Sequence, residues 1–294
     1  MQVLVTGAAG FLGRHVSTRL QRDGFEVTGF DLQPPKQTDF ELVDGDLLDP
    51  QAVLTAAQGH DVICHIGAIG DVYLAASDPP LATAVNVTGS ANVAAAAELV
   101  GARVVYASTW EVYGSPRYEP MDEDHPCDPD HPYNITKLAG ERILMAADRL
   151  RDVPVLALRL GTAYGSGLRP NSVFRIFIDR ARSGEPITIQ GDGAQSRQFT
   201  HASDIARAFS LACRSEVHGM ALNTVAPVAI SIKQLAEQVT ARYPTQVSFG
   251  EARPGDIAAA LVSPEKMERV LGWTTEIGFD EGLTELVDSL EDGI

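Results

Sequence analysis

Three glycines spaced by three residues sit directly behind the first apolar run: Met1-Gln-Val-Leu-Val-Thr-Gly-Ala-Ala-Gly-Phe-Leu-Gly13. Val3 to Val5 reads as a buried parallel strand, and an amphipathic helix follows Gly13. A strand that turns this tightly into a helix points its free N–H groups at the positive end of the helix dipole, where a pyrophosphate fits. Gly7 allows the turn, Gly10 lets a phosphate approach the backbone, and Gly13 lets helix and strand pack closely. Phe11 and Leu12 lie in the helix's first turn beside that phosphate. The spacing is G-x-x-G-x-x-G rather than G-x-G-x-x-G, so the glycines alone also fit an ordinary strand–helix turn.

The rhythm of the chain supports a sheet behind that turn. A helix is expected at Phe11 to Arg22 and strands at Glu26 to Asp31, Phe40 to Val43 and Asp61 to His65. Asp49 caps a helix that carries Pro50 at its first position. A long alanine-rich helix over about Leu81 to Val100 precedes a strand at Arg103 to Ser108. A Pro-, Asp- and His-rich loop, Pro116 to Pro132, leads to a helix over about Tyr133 to Arg149 and a strand at Val155 to Leu160. Alternation of this kind predicts an α/β fold with a Rossmann-like, doubly wound parallel sheet. Beyond Tyr164 the pieces shorten and mix, which predicts a smaller C-terminal α/β substrate domain. The expected division is 1–162 for NAD, with part of 196–226 returning to it, and 163–294 for substrate.

Asp31 ends the second strand 18 residues after Gly13, where an acid accepts hydrogen bonds from the adenosine ribose hydroxyls and repels a 2′-phosphate. NAD is therefore the expected cofactor. Tyr133 and Lys137 stand at i and i+4, on one helix face, and Ser108-Thr109 end the fifth strand. A phenol titrates near 10, too high for a base at neutral pH, and a cation one turn away favours the phenolate. Tyr133 would take a hydroxyl proton while hydride leaves the same carbon, with Thr109 holding the substrate oxygen.

Taken together these segments resemble the extended short-chain dehydrogenase/reductase family, in its NAD-dependent nucleotide-sugar epimerase/dehydratase branch. The resemblance covers nearly the whole chain. It rests on Thr6 to Gly13, Asp31, Gly45-Asp-Leu47, His65-Ile-Gly-Ala68, Ser108-Thr-Trp-Glu-Val-Tyr-Gly114, Tyr133-Asn-Ile-Thr-Lys137, Leu158-Arg159, Gly191-Asp-Gly193, Arg197-Gln-Phe199 and Arg253-Pro-Gly-Asp256. It implies that Asp46 and Leu47 flank the adenine, and that His65, Gly67 and Ala68 line the nicotinamide side with Ser108. Thr109, Tyr133 and Lys137 would be the catalytic set, and Arg197 and Arg253 would contact a substrate diphosphate. A forked guanidinium suits that contact on physical grounds as well.

Several positions depart from the family pattern and leave the reaction open. Family dehydratases usually carry Asp-Glu where this chain has Trp110-Glu111, and an indole cannot supply the missing proton. Glu111 is also unexpected in a plain 4-epimerase. Thr162 replaces a common Asn, Gly70-Asp-Val-Tyr73 replaces a Val-Ser pattern, and Arg197-Gln198 replaces Arg-Asp. The expected activity is 4-epimerisation of a nucleotide-diphosphate sugar, foremost a UDP-sugar, through a 4-keto intermediate. Dehydration or decarboxylation using Glu111 is the alternative. A reductase of a small non-nucleotide substrate and a non-catalytic NAD sensor are the other classes, the intact Thr109/Tyr133/Lys137 set weighing against the sensor.

A net charge of −16 weighs against a nucleic-acid partner. The three cysteines show no zinc or disulfide spacing, and no helix-spaced ligand set surrounds His65, His125, His131 or His201, so no metal is expected. The first strand begins at residue 2 and no apolar run reaches membrane-spanning length, which predicts a cytoplasmic protein without a membrane partner. The alanine-rich helix is expected to pack on the sheet or to pair with the Tyr133 helix across a homodimer interface.

Overall fold

The structure, a computed structural model, describes residues 1–32, 38–251 and 260–291. Its first half runs β1 (Gln2–Thr6), α1 (Phe11–Arg22), β2 (Glu26–Asp31), β3 (Glu41–Asp44), α2 (Pro50–Ala57), β4 (Val62–His65), α3 (Val72–Ser77), α4 (Pro79–Thr83), α5 (Gly89–Val100), β5 (Arg103–Thr109), α6 (Pro132–Arg151) and β6 (Val155–Leu160). The second half runs β7 (Thr162–Tyr164), α7 (Val173–Arg182), β8 (Ile187–Gln190), β9 (Ser196–Arg197), β10 (Phe199–His201), α8 (Ala202–Arg214), β11 (Met220–Thr224), β12 (Ile230–Ser231), α9 (Ile232–Arg242), β13 (Val247–Gly250), α10 (Glu265–Leu271) and α11 (Phe279–Glu291).

Seven strands form one parallel sheet in the order β11-β6-β5-β4-β1-β2-β3. Val3, Leu4 and Val5 are completely buried because helices cover both faces of the sheet. One face packs Val16 and Leu20 of α1 against Ile205 and Phe209 of α8. The other packs Val53 of α2, Val93 of α5 and Leu144 of α6. The strand order reverses between β1 and β4, and a crevice opens there at the carboxyl ends of the strands, where this architecture binds ligands. A separate core of Phe174, Phe177, Ile187, Phe199, Leu235 and Leu286 supports the smaller α/β lobe.

The parallel α/β sheet expected from the alternation is the one that forms. The region expected as one helix from Leu81 to Val100 differs. Asp78 caps a start at Pro79, and a π-turn at Ala84–Thr88 interrupts the helix before α5. The π-turn carries Asn86, whose amide accepts from the Ile69 N–H (2.7 Å) and donates to the Ile69 carbonyl (3.2 Å) and the Thr136 hydroxyl (2.9 Å). One buried amide thus ties the loop after β4 to α6, a service that compensates for the poorer helix geometry. Helix α3, capped by Asp71, and strand β11, which closes the sheet beside β6, were not expected as elements. Helix α8 begins at Ala202, where the His201 side chain accepts from the Ser203 N–H.

Candidate active site

Gly7 adopts φ +70°, donates its N–H to the Phe30 carbonyl (2.8 Å) and accepts from the Gly10 N–H (3.1 Å). A Cβ at Gly7 would lie 2.6 Å from the Gly67 Cα, and one at Gly13 would lie 1.9 Å from the Gly7 carbonyl oxygen. The turn is therefore a close backbone approach that only glycine permits. Helix α1 begins at Gly10 with no side-chain cap, whereas Asp49, Ser172 and Ser231 cap α2, α7 and α9. Its first N–H groups, at Phe11 and Leu12, remain donors for an anion. The Asp31 carboxylate accepts the Ala9 N–H (2.9 Å) and so clamps the turn. Leu47 packs over Gly67 and Gly89, and the Asp46 carboxylate accepts the Leu48 N–H (2.9 Å). The uncapped helix N-terminus has donors that suit a pyrophosphate, and the Asp31 carboxylate stands beside the turn at the end of β2. Gly13→Ala is expected to cost about 1–3 kcal/mol of stability by overpacking and to abolish NAD binding, checked by denaturant unfolding and calorimetry.

His65 is 1 % exposed, so its imidazole lies beneath the crevice rather than in it. Ser90 donates to the Asn86 carbonyl (2.6 Å), so the Ser90 oxygen accepts from His65 Nε2–H (3.1 Å). Nδ1 then accepts the Thr6 hydroxyl (2.8 Å), while Thr6 Oγ1 takes the N–H groups of Ile66 and Gly67, both at 3.1 Å. The strand end that carries Gly67 and Ala68 is thereby held by a neutral histidine.

Burial holds His65 down to about 3, and burial, aided by His15, holds His201 down to about 4. An unfolded histidine takes a proton below about 6.5 while these two stay neutral. The unfolded state then binds more protons, so stability falls as the pH drops from about 6.5 toward 4, by at most about 1.4 kcal/mol per unit for each histidine. Above 6.5 neither state gains a proton and this effect vanishes. Urea unfolding at several pH values is expected to show that fall, and His65→Asn is expected to reduce its slope by one proton.

Tyr133 and Lys137 project from the first turns of α6, which His131 caps. Near the Tyr133 phenol stands Thr109, at the end of β5. Its hydroxyl accepts the Glu111 N–H (3.3 Å), which begins a short 3₁₀ turn over Trp110–Tyr113. Burial and the nearby Glu111 carboxylate push the phenol well above its ordinary range, and Arg169 and Thr109 oppose them. The Lys137 ammonium lies 4.2 Å above the Tyr106 ring, and burial pulls it down to about 7 against the raising effect of Glu141. Ser108, next to Thr109, donates to the Glu141 carboxylate (2.6 Å) rather than facing the crevice.

Arg197 stands with its guanidinium 5.9 Å from the centre of the Trp110 ring, so β9 meets the segment that follows β5. Arg253 lies outside the described residues. Gln198 is buried and acts as a strut: its amide donates to the Ala226 (2.5 Å) and Val262 (2.9 Å) carbonyls and accepts the Val262 N–H (2.7 Å). Thr162 pairs in β7 with β10, and its N–H donates to the Gln198 carbonyl (3.2 Å). Two groups near the site were missed in the sequence. Arg169 acts on Tyr133 and bonds the Gly70 carbonyl (3.2 Å), and Asn171 donates to the Asp71 carboxylate (2.7 Å). Together they tie the loop after β7 to Gly70–Asp71, the segment whose composition already stood out. Among the described residues no group of three His, Cys, Asp or Glu could hold a metal ion, and no helix is long and apolar enough to cross a membrane.

Comparison with known proteins shows the family. The NAD dependent epimerase/dehydratase family matches residues 3–224. The chain belongs to this family. It is therefore an enzyme, and NAD is its cofactor. The UDP-glucose 4-epimerase of Mycolicibacterium smegmatis is 32% identical over 98% of this chain and 98% of its own length. UDP-glucuronic acid decarboxylase 1 of Danio rerio is 28% identical over 97% of this chain and 72% of its own. Among solved structures, MoeE5 in complex with UDP-glucuronic acid and NAD superposes with a TM-score of 0.93 at 32% identity, covering 100% of both chains. The same protein in complex with UDP-glucose and NAD gives 0.92 at 32% identity over 100% of this chain and 99% of the other.

Proposed function

We propose that this member of the family is a UDP-sugar 4-epimerase. The observation that supports the proposal is that Thr109 stands near the Tyr133 phenol, with Lys137 one turn on along α6. The Phe11 and Leu12 N–H groups, Asp31, Asp46 and Leu47 would hold NAD, which when bound takes up hydride from a sugar carbon and returns it. Thr109 would hold the sugar's 4-hydroxyl and Tyr133 would accept its proton. Because burial and Glu111 hold the phenol high, a positive charge must stand beside it for it to work as a base at neutral pH. Lys137 is the chain's own candidate for that charge. The resulting 4-keto sugar, turned over before hydride and proton return, yields the 4-epimer. Arg197 and Arg253 would hold the diphosphate, with residues 1–162 and part of 196–226 serving NAD and 163–294 the sugar nucleotide.

Two observations favour neighbouring readings. The Arg169 guanidinium near Tyr133 suits a sugar bearing a carboxylate at C6, and MoeE5 binds UDP-glucuronic acid as well as UDP-glucose. Glu111 stands beside Tyr133 with an indole where a second carboxylate would be needed, which supports epimerisation over dehydration. Exposed Leu99, Ile135 and Leu150 on α5 and α6 support the homodimer proposed for these helices, and the absence of a spanning helix among the described residues is consistent with the proposed cytoplasmic location. Incubation with a panel of UDP-, dTDP-, GDP- and CDP-sugars, followed by NMR, is expected to show 4-epimers of a UDP-hexose or UDP-hexuronic acid. Turnover of no nucleotide sugar would remove the proposal.

A further inference from the structure

Behind the catalytic face of α6 lies a buried ion pair that the chemistry above does not use. Glu141 stands one turn past Lys137, so Tyr133, Lys137 and Glu141 share a face of the helix. Its Oε1 accepts Arg159 Nη2–H at 2.7 Å, and its Oε2 accepts Arg159 Nε–H at 3.1 Å and the Ser108 hydroxyl at 2.6 Å. Arg159 is also held by the Tyr113 hydroxyl (2.9 Å), which itself donates to Asn223 of β11 (2.7 Å). Glu141 and Arg159 are 2 % and 4 % exposed. Apolar residues could fill this space at little cost in stability, so a buried pair is weak evidence for a stabilising role.

We propose that Glu141 is a positioning residue, joining the Ser108–Thr109 end of β5 to the Tyr133–Lys137 face of α6 and placing a carboxylate one helical turn from Lys137. The covalent neighbour of Ser108 is Thr109, which stands near the Tyr133 phenol, so one carboxylate on α6 holds the strand end that carries Thr109. The groups facing Lys137 are few. Tyr106 of β5 offers only a ring face, and His65 of β4 is neutral. Among the influences on Lys137, burial lowers it and Glu141 alone opposes burial. Arg159 faces Glu141 from the far side, with Tyr113 bonded to its guanidinium, and fixes the orientation of the carboxylate.

The proposal rests on Tyr133 and Lys137 being the working pair, and its test is read without substrate. The chain has four lysines, Lys36, Lys137, Lys233 and Lys266, so lysine-selective ¹³C NMR can follow Lys137 once a Lys137→Arg variant assigns its signal. Glu141→Gln alone leaves Arg159 buried without its partner, so the double variant Glu141→Gln/Arg159→Met carries the test. It is expected to fold, to bind NAD, and to lower the Lys137 titration midpoint by about one pH unit. Where turnover is measured, the alkaline limb of kcat should move down with it while KM stays within about twofold. An unmoved Lys137 titration would overturn the proposal and make the pair a strut only. A double variant that does not fold would also overturn it, because a pair kept for alignment is replaceable by apolar side chains. Absence of turnover in the parent protein would instead count against the epimerase reading and leave the titration result standing.

Discussion

Tyr133→Phe is expected to lower kcat by about 10²- to 10⁴-fold while NAD binding and the unfolding midpoint stay near those of the parent protein. The substitution removes one oxygen from a half-buried side chain whose ring contacts persist. What disappears is the phenol oxygen near Thr109 and Glu111. Neither Lys137 nor His65 is placed to replace it. Burial leaves Lys137 near 7, but its ammonium lies over Tyr106 rather than beside Thr109. The imidazole of His65 is enclosed by Thr6 and Ser90. Glu111 is the one further carboxylate close to the phenol, and an active Tyr133→Phe enzyme would transfer the base role to it. Steady-state kinetics at saturating NAD, with calorimetric NAD binding as control, distinguishes these outcomes.

The largest stability effect is expected at Arg159. Arg159→Leu leaves Glu141 buried with Ser108 as its remaining hydrogen-bond partner, and a stranded buried charge of this kind costs about 3–5 kcal/mol. Four elements meet at this point, because Arg159 on β6 reaches α6 through Glu141, the segment after β5 through Tyr113, and β11 through Tyr113 and Asn223. Urea unfolding of the variant should show the loss without a change in its denaturant slope, since the same surface is exposed on unfolding. A loss below about 1 kcal/mol would mean that water reaches Glu141.

The cofactor half of the molecule was legible because local signals coincide there. The Val3–Val5 run, the glycines at 7, 10 and 13, and Asp31 each narrow the same short strand–turn–helix–strand unit. Asp49 followed by Pro50 marks the start of α2 just as plainly, and its carboxylate does accept the Gln51 and Ala52 N–H groups. Features made by distant residues were not legible. Asn86 closes a loop at Ile69 and reaches Thr136 fifty positions away, so nothing near it in the sequence marks a π-turn. Strand β11 is short and mixed, and its partner is β6, far back in the chain. Arg159 could be matched to a motif, yet only the fold shows Glu141 and Ser108 converging on it. Arg197 came from a motif as well, and the ring of Trp110 beneath it is a tertiary fact. Arg253 lies outside the described residues, so the second of the two arginines expected at the diphosphate has no placement to report.

The central claim is that Tyr133 and its neighbours allow hydride to leave sugar C4 and return to the opposite face of the same carbon. UDP-glucose deuterated at C4, incubated with the NAD-loaded protein and followed by NMR and mass spectrometry, tests this most directly. UDP-galactose that keeps the deuterium at C4 is expected, because the hydride taken from that carbon is returned to it. Loss of the label to solvent, or a product that has lost water, would contradict the claim.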